Sequence, residues 1–92
     1  MQPWPFCSFA TLRHVLTTKA GCDCVLVARA GSVIDLNGEP TPDLYGFTRD
    51  VDGEPLLAVV AASGDEQYLP FTVIRYVCAA LQLDIALFDR PN

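Results

Sequence analysis

The sequence predicts an α+β domain, with a mainly antiparallel sheet of four to five strands and two helices packed on one side of it, in the order α-β-β-β-β-α-β. Two segments have the apolar periodicity of amphipathic helices, and several others are short runs rich in β-branched or apolar residues. Turn sequences that contain glycine separate most of these segments. The chain has 92 residues without an internal linker or low-complexity tract, so we expect one domain over residues 1–92.

The first predicted helix covers residues 9–20 and has a single apolar side. Ser8 is of a type that caps helix N-termini, and Gly21 is of a type that follows helix C-termini. Steps of about 100° per residue place four apolar residues on one side: Leu12, Val15, Leu16 and Ala20. His14 falls on the opposite side, so we expect it to be exposed.

One turn sequence occurs twice in the middle of the chain. Residues 35–40 read Asp-Leu-Asn-Gly-Glu-Pro, and residues 50–55 read Asp-Val-Asp-Gly-Glu-Pro. Asn-Gly and Asp-Gly favour type I′ hairpin turns, which need positive φ at both central residues. A calcium loop would also need a bidentate carboxylate at its far end, which neither copy has. If residues 44–51 form one strand, the copies lie about 26 Å apart at roughly 3.3 Å per residue, too far to share an ion. We interpret both as hairpin turns.

Strands are predicted on either side of these turns. Two are expected over residues 24–29 and 32–36, which are rich in β-branched residues, and a short one over residues 85–88. Residues 45–51 alternate in character, whereas residues 56–62 are continuously apolar. We interpret 45–51 as an outer strand and 56–62 as a central strand of an antiparallel meander.

The second predicted helix covers residues 71–83 and is apolar on two sides. Its core side is expected to hold Val73, Ile74, Val77, Cys78 and Leu81. The opposite side, here called the α2 stripe, consists of Tyr76, Ala79 and Leu83 with Arg75 at its edge. The outward side of a monomer's helix should carry Lys and Glu, whereas apolar residues beside an aromatic ring and an arginine are typical of interfaces. We predict a contact between subunits at this stripe.

The N-terminal arm offers a second explanation for the stripe. Residues 1–7 are predicted to be extended because Pro3 and Pro5 restrict the backbone. Trp4 and Phe6 give this arm a large apolar surface, so we expect it to dock on its own domain or on a neighbouring copy. Trp4 and Phe6 therefore belong to the predicted interface, and the arm packing on the stripe within one chain is the alternative.

The composition favours self-association. Apolar residues make up 51% of the chain and charged residues 18%, against about 25% charged residues in typical globular proteins. The longest apolar runs are too short to span a membrane, and the first residues lack the features of a signal peptide. We therefore expect a cytoplasmic protein with reduced thiols and a partner subunit that covers the apolar excess, most simply in a homodimer. Few lysines with many Ala, Arg and Asp residues indicate a bacterial origin and would suit a mobile-element gene.

The residues that carry chemistry form no specific pattern. A formal charge of −5 with scattered basic residues argues against nucleic-acid binding. Cys22 and Cys24 form a C-x-C pair, a weaker zinc signal than C-x2–4-C. Cys7 and His14 would be about 10 Å apart even on one continuous helix, too far for a nucleophile and its base. We predict no catalytic residue, no metal site and no cofactor.

The leading hypothesis is a non-enzymatic, self-associating binding module. One alternative is a small enzyme or a small-molecule-sequestering protein with a pocket at the sheet–helix or subunit boundary, using polar groups such as Tyr45, Arg49 or Tyr68. Another is an acidic inhibitor or antitoxin-like partner of a basic protein, on the net charge alone. No motif identifies a reaction or a ligand.

Overall fold

A computed structural model describes residues 6–29, 36–38 and 41–88 of the chain. The elements in these ranges are β1 (Cys7–Ser8), α1 (Phe9–Thr18), β2 (Asp23–Ala28), β3 (Asp43–Val51), β4 (Glu54–Ala62), β5 (Tyr68–Leu69), α2 (Phe71–Leu81) and a 3₁₀ helix (Ile85–Phe88). An antiparallel sheet has the order β2-β3-β4, and β1 pairs with β5 in a separate antiparallel ladder. The predicted α+β class is confirmed.

Helix α1 begins where its capping residue predicts. The Thr11 N–H donates to Ser8 Oγ at 3.2 Å, which satisfies one of the N–H groups that the first helical turn leaves without a partner. The helix ends at Thr18, two residues before the predicted end. Gly21 then adopts a φ of 69°, a conformation that glycine reaches without steric cost and that turns the chain towards β2.

The β1–β5 ladder joins the starts of the two helices. Cys7 pairs with Leu69 and Ser8 with Tyr68, and each short strand leads almost directly into a helix. An ion pair of 2.9 Å between Arg13 and Asp65 ties α1 to the loop before β5. Two-residue strands are too short to leave a pattern in the sequence, so this ladder was not predicted.

The hairpin between β3 and β4 confirms the second predicted turn. Asp52 and Gly53 have φ values of 53° and 84°, as a type I′ turn requires. The Gly53 N–H donates to Asp50 Oδ1 at 2.9 Å. Of the first copy, residues 36–38 form a turn with Gly38 at a φ of 83°, whereas the rest of that copy and most of the predicted strand over residues 32–36 lie outside the described residues.

Two predictions about strands are wrong. In the described residues, β3 lies between β2 and β4, so the continuously apolar strand is at the edge of the sheet and the alternating one is central. Ile85–Phe88 is a 3₁₀ helix rather than a strand. It begins at Asp84, which accepts the Ala86 N–H on Oδ1 at 2.9 Å and the Leu87 N–H on its carbonyl oxygen at 3.0 Å, a local bonding pattern that competes with extended backbone.

Arg49 fixes the C-terminus of α2 from the sheet. Its Nη1 donates to the carbonyl oxygens of Leu81 at 2.6 Å and of Gln82 at 2.9 Å. A cation there neutralises carbonyl groups that the helix leaves without partners and interacts favourably with the helix dipole. Gln82 has a φ of 55°, a left-handed conformation that ends the helix before the predicted residue 83.

The core lies between the sheet and the helices. Its largest fully buried side chains come from both layers: Phe9, Leu12, Leu16, Phe47, Leu69, Ile74, Val77 and Leu81. The shortest principal dimension of the molecule is 18 Å, which accommodates one sheet and one layer of helices on it. In the ranges that the structure covers, no helix is long and apolar enough to cross a bilayer.

Candidate interaction surface

The two faces of the three-stranded sheet differ in what covers them. On the inner face, Phe47, Ala58, Val60 and Ala62 are buried under the helices. The opposite side, here called the outer face, is apolar at its centre, with exposed fractions of 54% for Val25, 57% for Val27, 56% for Leu57 and 40% for Val59. A solvated face of an antiparallel sheet normally carries polar side chains, so this composition indicates a binding surface.

Gly46 lies at the centre of the outer face. It pairs with Val25 on β2 and with Val59 on β4. A Cβ atom at this position would lie 3.1 Å from Val27 Cγ2, 3.5 Å from Leu57 Cδ1 and 3.6 Å from Val25 Cγ2. The side chains of these three residues therefore surround the glycine, which is itself buried.

Among the described residues of the three strands, the polar side chains on the outer face lie at one end. The strand register places Asp23 opposite Thr48, next to the β3–β4 turn, and alternation along β3 puts Asp50 on the same side. At the other end, the same alternation places Leu44 beside Ala61. The centre of the face therefore carries no charge that would have to be desolvated when a partner binds.

The predicted α2 stripe lies along a shallow groove. Arg75, Ala79 and Leu83 line an open groove of about 350 Å³ together with Phe71, Cys78 and Ile85. The Arg75 guanidinium carbon is 5.9 Å from the centre of the Phe71 ring, within the range of a cation–π contact. Ala79 is exposed and Leu83 is half-buried.

Tyr76 points away from this groove towards the sheet edge. The Val59 N–H donates to Tyr76 Oη at 3.5 Å, at the long limit of a hydrogen bond. The ring is 50% exposed. Tyr76 therefore shields part of the free edge of β4, so the predicted stripe is divided between a groove and an edge contact.

Phe6 packs on its own chain. Its ring centre lies 5.4 Å from that of Phe71 and 6.0 Å from that of Phe88, distances typical of favourable aromatic pairs. Phe6 thus docks within its own chain beside the start of α2, on Phe71 and Phe88 rather than on the residues of the stripe. Trp4 lies outside the described residues.

A polar hollow between α1 and β2 brings together several residues that the sequence places apart. Its lining includes Arg13, His14, Thr17, Cys22, Asp23 and Cys24, and its volume is about 670 Å³. Arg13 is already engaged, since it pairs with Asp65 and its guanidinium carbon lies 5.3 Å from the Phe9 ring centre. That ion pair and its hydrogen bond lower the pKa of Asp65. The hollow is open to solvent along one side of α1.

The four cysteines are free thiols whose environment disfavours ionisation. Burial raises the pKa of Cys7 to about 11, with a further contribution from the neighbouring Cys78. Burial also raises the pKa of the thiols of Cys22, Cys24 and Cys78. At neutral pH these thiols are protonated, and a protonated thiol is a poor nucleophile.

The polar groups named for a pocket are placed apart. The Tyr45 ring packs on Phe9, with ring centres 4.6 Å apart. Arg49 binds the carbonyl groups at the end of α2, and Tyr68 is an exposed residue of β5. Tyr45 and Arg49 therefore stabilise the fold through contacts with other elements.

The described residues contain no group of three or more His, Cys, Asp or Glu side chains placed to hold a metal ion. Comparisons with protein-family models, with curated proteins and with solved structures found no match. Function is therefore inferred from the geometry of the surface alone.

The apolar outer face was not predicted, although the sequence contains a signal for it. Residues 56–62 and most of β2 are apolar at consecutive positions, without alternation. Such a strand is apolar on both faces, so each face needs a layer to cover it. With two predicted helices placed on one side, the other side of the sheet had to be apolar and open.

Proposed function

We propose that this chain is a non-enzymatic protein-interaction module of a bacterial cytoplasm, and that its outer face is the surface through which it binds. The observation that carries the proposal is the apolar centre around Gly46, where Val25, Val27 and Leu57 are each more than half exposed. Leaving such side chains in water forgoes about 25 cal/mol for each Å² that a partner would bury. An uncovered apolar patch on this scale is typical of a protein interface.

The outer face supports this proposal better than the α2 stripe does. Tyr76 of the stripe reaches β4, and Arg75 packs on Phe71 within the same chain. On the outer face, Val25, Val27 and Leu57 surround Gly46 and are each more than half exposed. The stripe remains a prediction for a second contact.

Site-specific photo-cross-linking tests the proposal. A benzophenone amino acid replaces Leu57 on the outer face and, as the control, Thr18 at the exposed end of α1. After irradiation of cells that make each variant, we expect a covalent protein adduct from position 57 and little from position 18. Equal labelling at the two positions would overturn the proposed function.

A further inference from the structure

We propose that Asn37, in the first copy of the repeated turn, is a modification site that loses its side-chain amide spontaneously. The backbone nitrogen of Gly38 attacks the side chain, and the asparagine becomes aspartate or isoaspartate. This inference is independent of the proposed function, because residues 36–38 belong to none of the strands that form the outer face. Two observations lead to it: the exposure of this turn, and its contrast with the second copy of the same sequence.

The turn at residues 36–38 is open to water. Leu36 is 106% exposed, and Asn37 and Gly38 are exposed as well. Gly38 has a φ of 83°, and a Cβ atom added there would meet no atom within 4 Å among the described residues beyond its chain neighbours. Because glycine has no Cβ, its nitrogen approaches the preceding side chain with the least steric hindrance. Asn37 is the only asparagine of the sequence that precedes a glycine.

The reaction needs water and no other reactant. The Gly38 nitrogen forms a bond to Cγ of Asn37, and the side-chain nitrogen leaves as ammonia with the proton that the glycine nitrogen gives up. The attack is intramolecular, so proximity favours it. Water then opens the resulting succinimide ring, and no electrons are transferred in either step. Cleavage of the new bond gives aspartate, whereas cleavage of the original peptide bond gives isoaspartate, whose side chain has become part of the backbone.

The second copy of the turn is protected against this reaction. Asp52 stands where the first copy has Asn37, and a carboxylate is a much poorer acceptor for a nucleophile than an amide. The corresponding nitrogen is also engaged, since the Gly53 N–H donates to Asp50 Oδ1 at 2.9 Å. The second copy is therefore a control within the same chain.

The reaction changes both the charge and the backbone of the connection between β2 and β3. Each event adds one negative charge to a chain whose formal charge is −5. The isoaspartate product also adds one methylene group to the main chain. Asparagine is among the residues that limit the lifetime of proteins at high temperature, and the change accumulates with the age of the molecule because the released ammonia is lost.

Peptide mapping by mass spectrometry provides the test. Purified wild type is incubated for days at neutral pH, and the peptide that contains Asn37 is followed over time. We expect it to convert into two acidic products of equal mass, which chromatography separates as the aspartate and isoaspartate forms. The peptide that contains Asp52 should stay unchanged. The rate at Asn37 should rise with pH, because the attacking nitrogen reacts as its anion.

Two variants test the mechanism. Gly38→Ala should slow the reaction about tenfold, because a Cβ atom hinders the attacking nitrogen. Asn37→Gln should abolish it at this position, because closure would need a larger ring. Gly21→Ala is the matched control, since Gly21 is an exposed glycine with a φ of 69°. It lies outside the turn and should change the rate at Asn37 less than about twofold.

Incubation of the wild type in urea gives the rate for the unfolded chain. Because residues 36–38 are exposed, the folded rate should agree with it within about tenfold. A much slower folded rate would mean that the fold protects Asn37, and the proposal would be wrong. It would be equally wrong if Asn37 stayed intact throughout the incubation, or if Gly38→Ala reacted as fast as the wild type.

Discussion

The outer face and the α2 stripe are both apolar surfaces outside the core, but the rest of the chain engages them differently. Phe6 packs beside the groove of the stripe, and Tyr76 reaches the backbone of β4. Around Gly46, the side chains of Val25, Val27 and Leu57 are each more than half exposed to water. An apolar stripe on a helix can thus be covered by neighbouring elements, whereas the second apolar face of a sheet in a two-layer domain needs a third layer.

The largest expected difference is between a core residue of α2 and a residue of the outer face. Ile74→Ala removes a fully buried side chain and should lower the free energy of unfolding by about 3–4 kcal/mol, because it leaves a cavity. Leu57→Ala should cost less than about 1 kcal/mol, because the side chain is more than half exposed. Urea unfolding of both variants gives the two values. Similar losses would mean that the outer face is part of the monomer's core.

The position of the α2 stripe depends on Arg49. Arg49→Met removes two hydrogen bonds from a charged donor and should cost about 2 kcal/mol. Arg49→Lys keeps the charge and should recover part of that loss. Hydrogen exchange at residues 79–82 should accelerate in Arg49→Met, whereas the outer-face strand β2 should exchange as in the wild type. Unchanged exchange at the end of α2 would show that this helix is held by packing alone.

The buried thiols on the helix side predict a loss of stability at high pH. An unfolded thiol ionises near pH 9.0, whereas the pKa of Cys7 in the folded protein is about 11. The folded state therefore keeps a proton that the unfolded state releases, so stability is full below about pH 9 and declines towards pH 11, by an amount of the order of 1 kcal/mol. Denaturant unfolding under reducing conditions should show a shallower decline in Cys7→Ala. If the free energy of unfolding declined equally with pH in the wild type and in Cys7→Ala, the raised pKa of Cys7 would be contradicted.

The edge contact of Tyr76 should have the smallest effect. Tyr76→Phe removes the hydroxyl that lies 3.5 Å from the Val59 nitrogen and should cost less than about 0.5 kcal/mol, since a bond of that length is weak. The Val59 amide should exchange faster with solvent, whereas the amide of Gly46, its partner in β3, should exchange as in the wild type. A loss above about 1 kcal/mol would contradict a weak bond at this position.

The sequence predicted the elements better than their arrangement. Ser8 marks the start of α1, and the Asp52–Gly53 turn is where two adjacent residues with positive φ were expected, because both signals are local. The position of residues 56–62 at the sheet edge depends on which strands pair, and a continuously apolar run cannot distinguish a central strand from an edge strand with an uncovered second face. The outer face was missed for the same reason, since its residues come from three strands and meet through long-range pairing.

The ladder of β1 with β5 has a consequence for how the chain folds. Cys7 and Leu69 pair across most of the sequence, and the Phe9 N–H donates to the carbonyl of Gln67 at 2.8 Å. The Phe9 N–H therefore acquires its partner only after residue 67 has left the ribosome. Contacts between distant positions slow folding because loop entropy is lost before they form. During synthesis, β1 must wait for β5, and in this interval its unpaired backbone groups are open to pairing with other chains.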